Sequence, residues 1–260
     1  EHTLDGELSD PFWSQAAALP PFVDLHTGGP AKLQTRAWLA ATELALYIGL
    51  ECLQPDMPNV RIAGERDGDA VYPGECVEVF IAPERTSGPY YHFAVNPDGV
   101  KAEEEGFDTS WGCEWAAHTR RFADRWTAQI AIMWSELPIG PQAGDVWGMN
   151  LCRHARAKIE EYSQWSNTES GFHNPARFGL VTLPGGLVGP RAMDLAWTGT
   201  WTRGDAWGLT LRITPGAANA GRRTVGAVVY RPGTSELPPP GSELETPVVF
   251  SPGKPLDVKL

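Results

Sequence analysis

Val77, Val79 and Ile81 alternate with Cys76, Glu78 and Phe80. A period of two marks a strand with one face in the core. The alternation recurs at Leu44, Leu46, Ile48 and Leu50, and again at Tyr91, Phe93 and Val95, while long helical periodicity is absent. Such a chain can bury its apolar faces only by pairing strands and stacking the resulting sheets. Strands are predicted over 31–39, 43–52, 76–82, 90–96, 111–119, 125–133, 145–154 and 177–183. Asn96-Pro97-Asp98-Gly99 is a turn signal, because Pro suits the second turn position and Gly accepts positive φ. One short helix is predicted over 10–18, with Asp10 as its N-cap and Pro11 at its first position.

Residues 1–184 therefore read as an antiparallel β-sandwich. Pro184-Gly185-Gly186 breaks the pattern. Residues 190–260 restart it, with strands predicted over 192–197, 207–213, 224–230, 247–251 and 256–260. This stretch suits either a small β domain, immunoglobulin-like, or an extension of the sandwich. The fold class is all-β throughout.

Charge narrows the partners. The formal net charge is −11 and no basic run appears, which argues against nucleic acid and against an anionic membrane surface. No apolar stretch approaches the roughly 18–20 residues needed to span a bilayer. Eleven Trp exceed what a core of this size needs, which raises the odds of aromatic ligand platforms. Cys52, Cys76, Cys113 and Cys152 form no CxxC pair, so a zinc ribbon is disfavoured. Two disulfides and four small buried thiols both remain open.

Chemistry concentrates on the polar face of the central strands. Glu78 sits mid-strand opposite the aliphatic face, with Tyr72 just before the strand. An acid beside an aromatic on a sheet suits sugar recognition, and an exposed, solvated glutamate is the plain alternative. His92 shares a face with Tyr90, Ala94 and Asn96. Paired to the Glu78 strand, it makes either a carboxylate–imidazole dyad or a structural hydrogen bond. No Gly-x-Ser-x-Gly or His-Glu-x-x-His motif accompanies it. Arg153 offers a fork of donors to hydroxyls, or a salt bridge to a carboxylate such as Glu78. Trp165 is flanked by Gln164 and Ser166. It is either a stacking platform beside polar groups or a lid on the sandwich. Glu103–Glu105 reads as a solvated loop, and no facing carboxylate pair of the glycosidase kind stands out.

The ordered segments resemble the family 9 carbohydrate-binding modules. Asp5-Gly6-Glu7-Leu8-Ser9-Asp10-Pro11-Phe12-Trp13 is similar to the opening of that family. Leu46-Tyr47-Ile48-Gly49, Cys76 to Ile81, Trp126 to Leu137, Trp147 to Arg153, Trp165-Ser166 and Phe172 to Gly179 follow in the family's order. The resemblance covers about residues 3–183. Gln129 departs from the family's usual Glu, Met133 from its Pro, Tyr72 from its Trp, and Ala94 from a larger polar residue.

That resemblance implies a non-catalytic sandwich in which two aromatics clamp a terminal sugar over a glutamate. By position these are Tyr72, Trp165 and Glu78, with His92, Arg153 and Gln164 orienting hydroxyls. It further implies a polysaccharide or oligosaccharide ligand, structural calcium without an organic cofactor, and service to a glycan-degrading enzyme. The location implied is secreted, periplasmic or cell-surface, with a signal peptide removed. Two other classes stay open. One is a haem-binding sandwich of cytochrome type, with Met149 or Met133 and His92 or His154 as axial ligands. The other is a polysaccharide hydrolase or lyase using Glu78 and His92.

Overall fold

The computed structural model describes residues 3–84, 88–142, 144–169 and 171–184 in full, and the backbone of five further strands between 194 and 259. The chain divides into two compact units, Glu1–Leu137 with Gln142–Leu187, and Pro138–Pro141 with Val188–Leu260.

The first unit contains β1 (Ala17–Ala18), β2 (Val23–Asp24), β3 (Thr35–Ala41), β4 (Ala45–Leu53), β5 (Cys76–Ala82), β6 (Tyr91–Val95), β7 (Lys101–Glu105), β8 (Trp115–Arg121), β9 (Arg125–Met133), β10 (Val146–Arg156), β11 (Glu160–Gln164) and β12 (Gly179–Thr182). One sheet runs β1-β3-β4-β9-β8. The other runs β2-β11-β10-β5-β6-β7, with β12 also on β10. All these pairings are antiparallel. Among the described residues helical structure is confined to short 3-10 turns. None forms a helix long and apolar enough to cross a membrane.

Each central strand turns its aliphatic face inward. Leu46, Ile48 and Leu50 of β4 and Ala128, Ile130 and Ile132 of β9 meet Val77, Val79 and Ile81 of β5, Tyr91, Phe93 and Val95 of β6, and Met149 and Leu151 of β10. The result is a sandwich with one continuous core.

The predicted helix over 10–18 is a shorter 3-10 turn, Pro11–Gln15, capped by Asp10 Oδ1 accepting from the Phe12 N–H at 2.7 Å. Gln129 explains why that opening segment is ordered. Its Oε1 accepts from the Asp5 and Gly6 N–H groups at 2.7 and 2.9 Å, and its Nε2 donates to the Glu7 carbonyl at 2.6 Å. An amide has the donor and the acceptor this clamp uses, whereas a carboxylate only accepts.

The Glu103–Glu105 run is a strand and not a solvated loop. In β7, Ala102 and Glu104 are buried while Lys101, Glu103 and Glu105 are half-exposed. Register puts Glu104 opposite His92, whose Nδ1 lies 2.6 Å from its carboxylate. The four cysteines are free thiols, with Cys52, Cys76 and Cys152 buried. Burial pushes the Cys52 thiol up to about 12.

In the second unit, β13 (Asp194–Trp197), β14 (Thr210–Thr214) and β17 (Leu256–Lys259) form one antiparallel sheet. A further antiparallel pair joins β15 (Gly221–Val228) and β16 (Glu243–Phe250). The Pro238–Gly241 turn and the side chains bearing on an immunoglobulin-like arrangement lie outside the described residues.

Candidate functional site

Strand parity decides which side chains meet. Cys76, Glu78, Phe80 and Ala82 leave the core side of β5 for the outer face of its sheet. Register then places Glu78 opposite Cys152 of β10 and Ala94 of β6, Cys76 opposite His154, and Phe80 opposite His92. His92 and His154 are thus diagonal neighbours of Glu78 on opposite sides, a separation that long side chains span. One strand further out on each side, Glu104 stands opposite His92 and Tyr162 opposite His154.

A chain of close carboxylate–imidazole contacts results. Glu104 Oε1 lies 2.6 Å from His92 Nδ1. His92 Nε2 lies 2.6 Å from Glu78 Oε2, and Glu78 Oε1 lies 2.6 Å from His154 Nε2. His154 Nδ1 reaches the Tyr72 carbonyl oxygen at 3.0 Å. Glu78 and His92 are only 2% and 1% exposed. Burial alone would raise the Glu78 pKa, yet His154 and His92 hold the carboxyl well below the usual range. Burial opposes charge on His92 as well, and Glu104 and Glu78 outweigh it, so its pKa is raised.

Aromatic rings surround this chain. Phe80 stacks on His92, with centroids 4.1 Å apart and planes 7° apart, and Tyr72 lies on His92 at 5.4 Å and 22°. His173 meets His92 edge-on at 5.0 Å and stacks on Phe107 at 4.4 Å. Tyr162 meets His154 edge-on at 4.7 Å. Phe107 is 76% exposed, and Tyr72, Tyr90, Tyr162 and His173 are half-buried. Burial, followed by Glu104 and Glu78, pushes the Tyr72 phenol well above its usual range. It stays a neutral hydroxyl, able to donate.

The structure brings Tyr72, Glu78 and His92 together as the sequence predicts. Gln164 shares their face, but its side-chain amide lies 2.7 Å from Thr168 Oγ1 and 3.2 Å from Asn150 Nδ2. It thereby anchors the segment that carries Phe172 and His173.

Two predicted residues lie elsewhere. Trp165 follows Gln164 by one position, and its N–H still donates to the Leu151 carbonyl at 2.8 Å, so strand parity carries it to the core side. There it packs against Gly179, where an added Cβ would come within 2.6 Å of the ring. It also borders a groove of about 640 Å³ lined by Leu19, Leu39, Leu180 and Val181. The two-walled clamp of Tyr72 and Trp165 is not formed, because a sheet lies between the rings.

Arg153 is likewise on the core side, opposite Val77. Its salt-bridge partner is Glu75 and not Glu78. Arg153 Nη2 and Nε donate to Glu75 Oε1 at 2.6 and 2.9 Å.

The axial pairs considered for haem are not assembled either. Met149 is buried in the core, separated by the sheet from His92 and His154. Met133 packs beside Trp13, Ala45 and Tyr47.

Sequence reasoning missed Glu104, His173, Tyr162 and Phe107 as neighbours of Glu78. Residues 101–105 carry no apolar alternation that would have placed Glu104. His173 and Phe107 come from loops and have no periodicity to betray them.

No family model matches this chain, and no curated protein matches it. Solved structures do. A family 9 carbohydrate-binding module from Caldicellulosiruptor kristjanssonii, in complex with cellotriose, is 18% identical with a TM-score of 0.55, covering 71% of this chain and 90% of that one. The module from the same organism in complex with glucose is 18% identical with a TM-score of 0.53, covering 71% and 92%. A putative carbohydrate-binding protein from Bacteroides uniformis ATCC 8492 is 18% identical with a TM-score of 0.54, covering 65% and 87%. The first unit therefore has the fold of a family 9 carbohydrate-binding module.

Proposed function

We propose that the first unit binds glycan without cleaving it, on the outer face of the β2-β11-β10-β5-β6-β7 sheet. The observation that carries this reading is the band of rings around Glu78. Tyr162, His154, Tyr72, His92, His173 and Phe107 each contact the next by ring stacking, edge contact or, for Tyr72 and His154, the backbone carbonyl. Sugar rings present CH faces to aromatic surfaces and hydroxyls to polar groups, and this band offers both. The sandwich fold shared with modules solved in complex with cellotriose and glucose supports it.

In this reading Phe107 and Tyr72 supply stacking surface, and the Tyr72 hydroxyl and the His173 imidazole meet hydroxyl groups. Glu78 is too deeply buried to serve as a primary contact, and it holds His92 and His154 in place instead. The ligand is a polysaccharide or oligosaccharide, bound near a chain end. The protein works outside the cytoplasm, where it keeps a glycan-degrading enzyme on its substrate.

Affinity electrophoresis through gels containing soluble β-glucans, with calorimetry on cello-oligosaccharides, tests the reading. Retardation of the intact chain is expected. Each aromatic contact contributes about 1 kcal/mol, so joint replacement of Tyr72 and Phe107 by Ala should weaken binding about 30-fold. Trp165→Ala should leave it unchanged. Failure of every glycan in a broad panel to retard the chain would contradict it.

A further inference from the structure

His92 poses a problem of proton placement. Its Nδ1 faces the Glu104 carboxylate, which only accepts, so Nδ1 carries a proton. In the neutral ring Nε2 is then a lone pair, facing a Glu78 carboxylate oxygen at 2.6 Å. Two lone pairs at that distance repel, and a cation bound by both would draw them to about 3 Å apart, because its bonds to nitrogen and oxygen are about 2.0–2.2 Å. A proton on Nε2 does not relieve the repulsion, because the carboxylate lies off the direction in which that N–H would point. His92 Nε2 and Glu78 Oε1 are both buried and have no correctly directed hydrogen-bond partner.

A third ligand atom is close by. Ligand atoms of Glu78, His92 and His173 all lie within 4.8 Å of one another. His173 has its Nδ1 2.9 Å from the Tyr90 hydroxyl, which leaves Nε2 as its free nitrogen. Both imidazoles thus have the nitrogen away from the site tied to a polar partner, Glu104 for one and Tyr90 for the other. Outer partners of this kind fix the ring orientation of metal-binding histidines. We propose that Glu78, His92 and His173 form a binding site for a divalent transition-metal ion, with Zn²⁺ as its natural occupant.

Two imidazoles and one carboxylate suit zinc and its neighbours, and hard cations such as calcium prefer all-oxygen sets. Three protein ligands leave at least one coordination position open. His173 is the half-buried member, so the ion is reachable from its side. A second trio, Cys76, Glu78 and His154, also lies within range. The buried imidazole nitrogen without a partner, however, belongs to His92 and so to the first trio. The site shares His92 and His173 with the proposed glycan-binding face, but the proposal does not require that a glycan binds, and its test uses no sugar.

The full chain, stripped by chelator and dialysed, is titrated with Zn²⁺ against a chromophoric chelator and separately with Co²⁺. One equivalent of Zn²⁺ should bind, and Co²⁺ should give the visible bands of a low-coordinate ion. His173→Gln replaces a half-buried loop residue, so the fold should survive it, and Zn²⁺ affinity should fall at least 100-fold. Tyr90→Phe, which removes an outer partner, should weaken binding about 10-fold. Cys76→Ser should leave affinity within about twofold. Absence of binding at 100-fold excess of metal over protein would overturn the proposal. So would binding that survives His173→Gln, or binding lost with Cys76→Ser.

Discussion

Arg153→Met is expected to lower the stability of the first unit by about 3–5 kcal/mol, because it strands a buried charge. Arg153 and Glu75 are both fully buried. Every polar atom of the pair is engaged. Besides its two bonds from Arg153, Glu75 Oε1 accepts from Trp126 Nε1 at 3.0 Å. Oε2 accepts from the Arg156 N–H at 2.6 Å and from Gln54 Nε2 at 3.3 Å. Arg153 Nη1 donates to the Leu53 carbonyl at 3.0 Å. Methionine fills much of the volume and none of the charge, so the buried Glu75 carboxyl is left without its counter-ion. Urea unfolding should show a midpoint far below that of the parent chain. Arg36→Met is the control, since its bridge to Glu51 is on the surface, and such pairs contribute about 0–1 kcal/mol. Equal losses from the two substitutions would contradict this account.

Trp126→Ala is expected to cost about 3–5 kcal/mol, the range for truncating a large buried aromatic. Trp126 is wholly inaccessible and packs in the main core. The same substitution removes a donor from Glu75 and leaves a cavity beside the ion pair. Residues that share one network do not add independently. The double variant Arg153→Met, Trp126→Ala should therefore depart measurably from the sum of the singles in urea unfolding, whereas simple additivity would show that the network is not coupled. The network has a bearing on the outer face. Glu75 immediately precedes β5, and Arg153 precedes His154 on β10, so the bond between them helps fix the register that puts His154 beside Glu78.

The central strands of the site, β5, β6 and β10, were legible in the sequence, whereas β7, β11 and the alignment of the strands were not. Residues 76–82 and 125–133 coincide with β5 and β9 to the residue, because their alternation is unbroken and turn formers bound them. Alternation sorts each strand into two faces without saying which face meets which. Arg153 was therefore open to pairing with Glu78, although register sets it opposite Val77 and pointing into the core. Trp165 shows the same gap by a single residue. Its polar neighbours suggested exposure, but one step beyond Gln164 the strand direction turns the ring to the other side of the sheet. Tyr72, Glu78 and His92 do come together, because each lies in or beside a clearly alternating strand. His173 and Phe107 reach the site from loops, where position depends on tertiary contacts such as the Tyr90 hydroxyl and the stacked ring pair. Glu104 was hidden by composition, since three consecutive glutamates resemble a solvated run until the burial of their neighbour Ala102 is known.

A crystal structure of the chain soaked with cello-oligosaccharide tests the central claim most directly. The account predicts a sugar ring on the outer face of the seven-stranded sheet, in contact with Tyr72 and Phe107. A sugar bound in the groove beside Trp165, with the outer face bare, would contradict it.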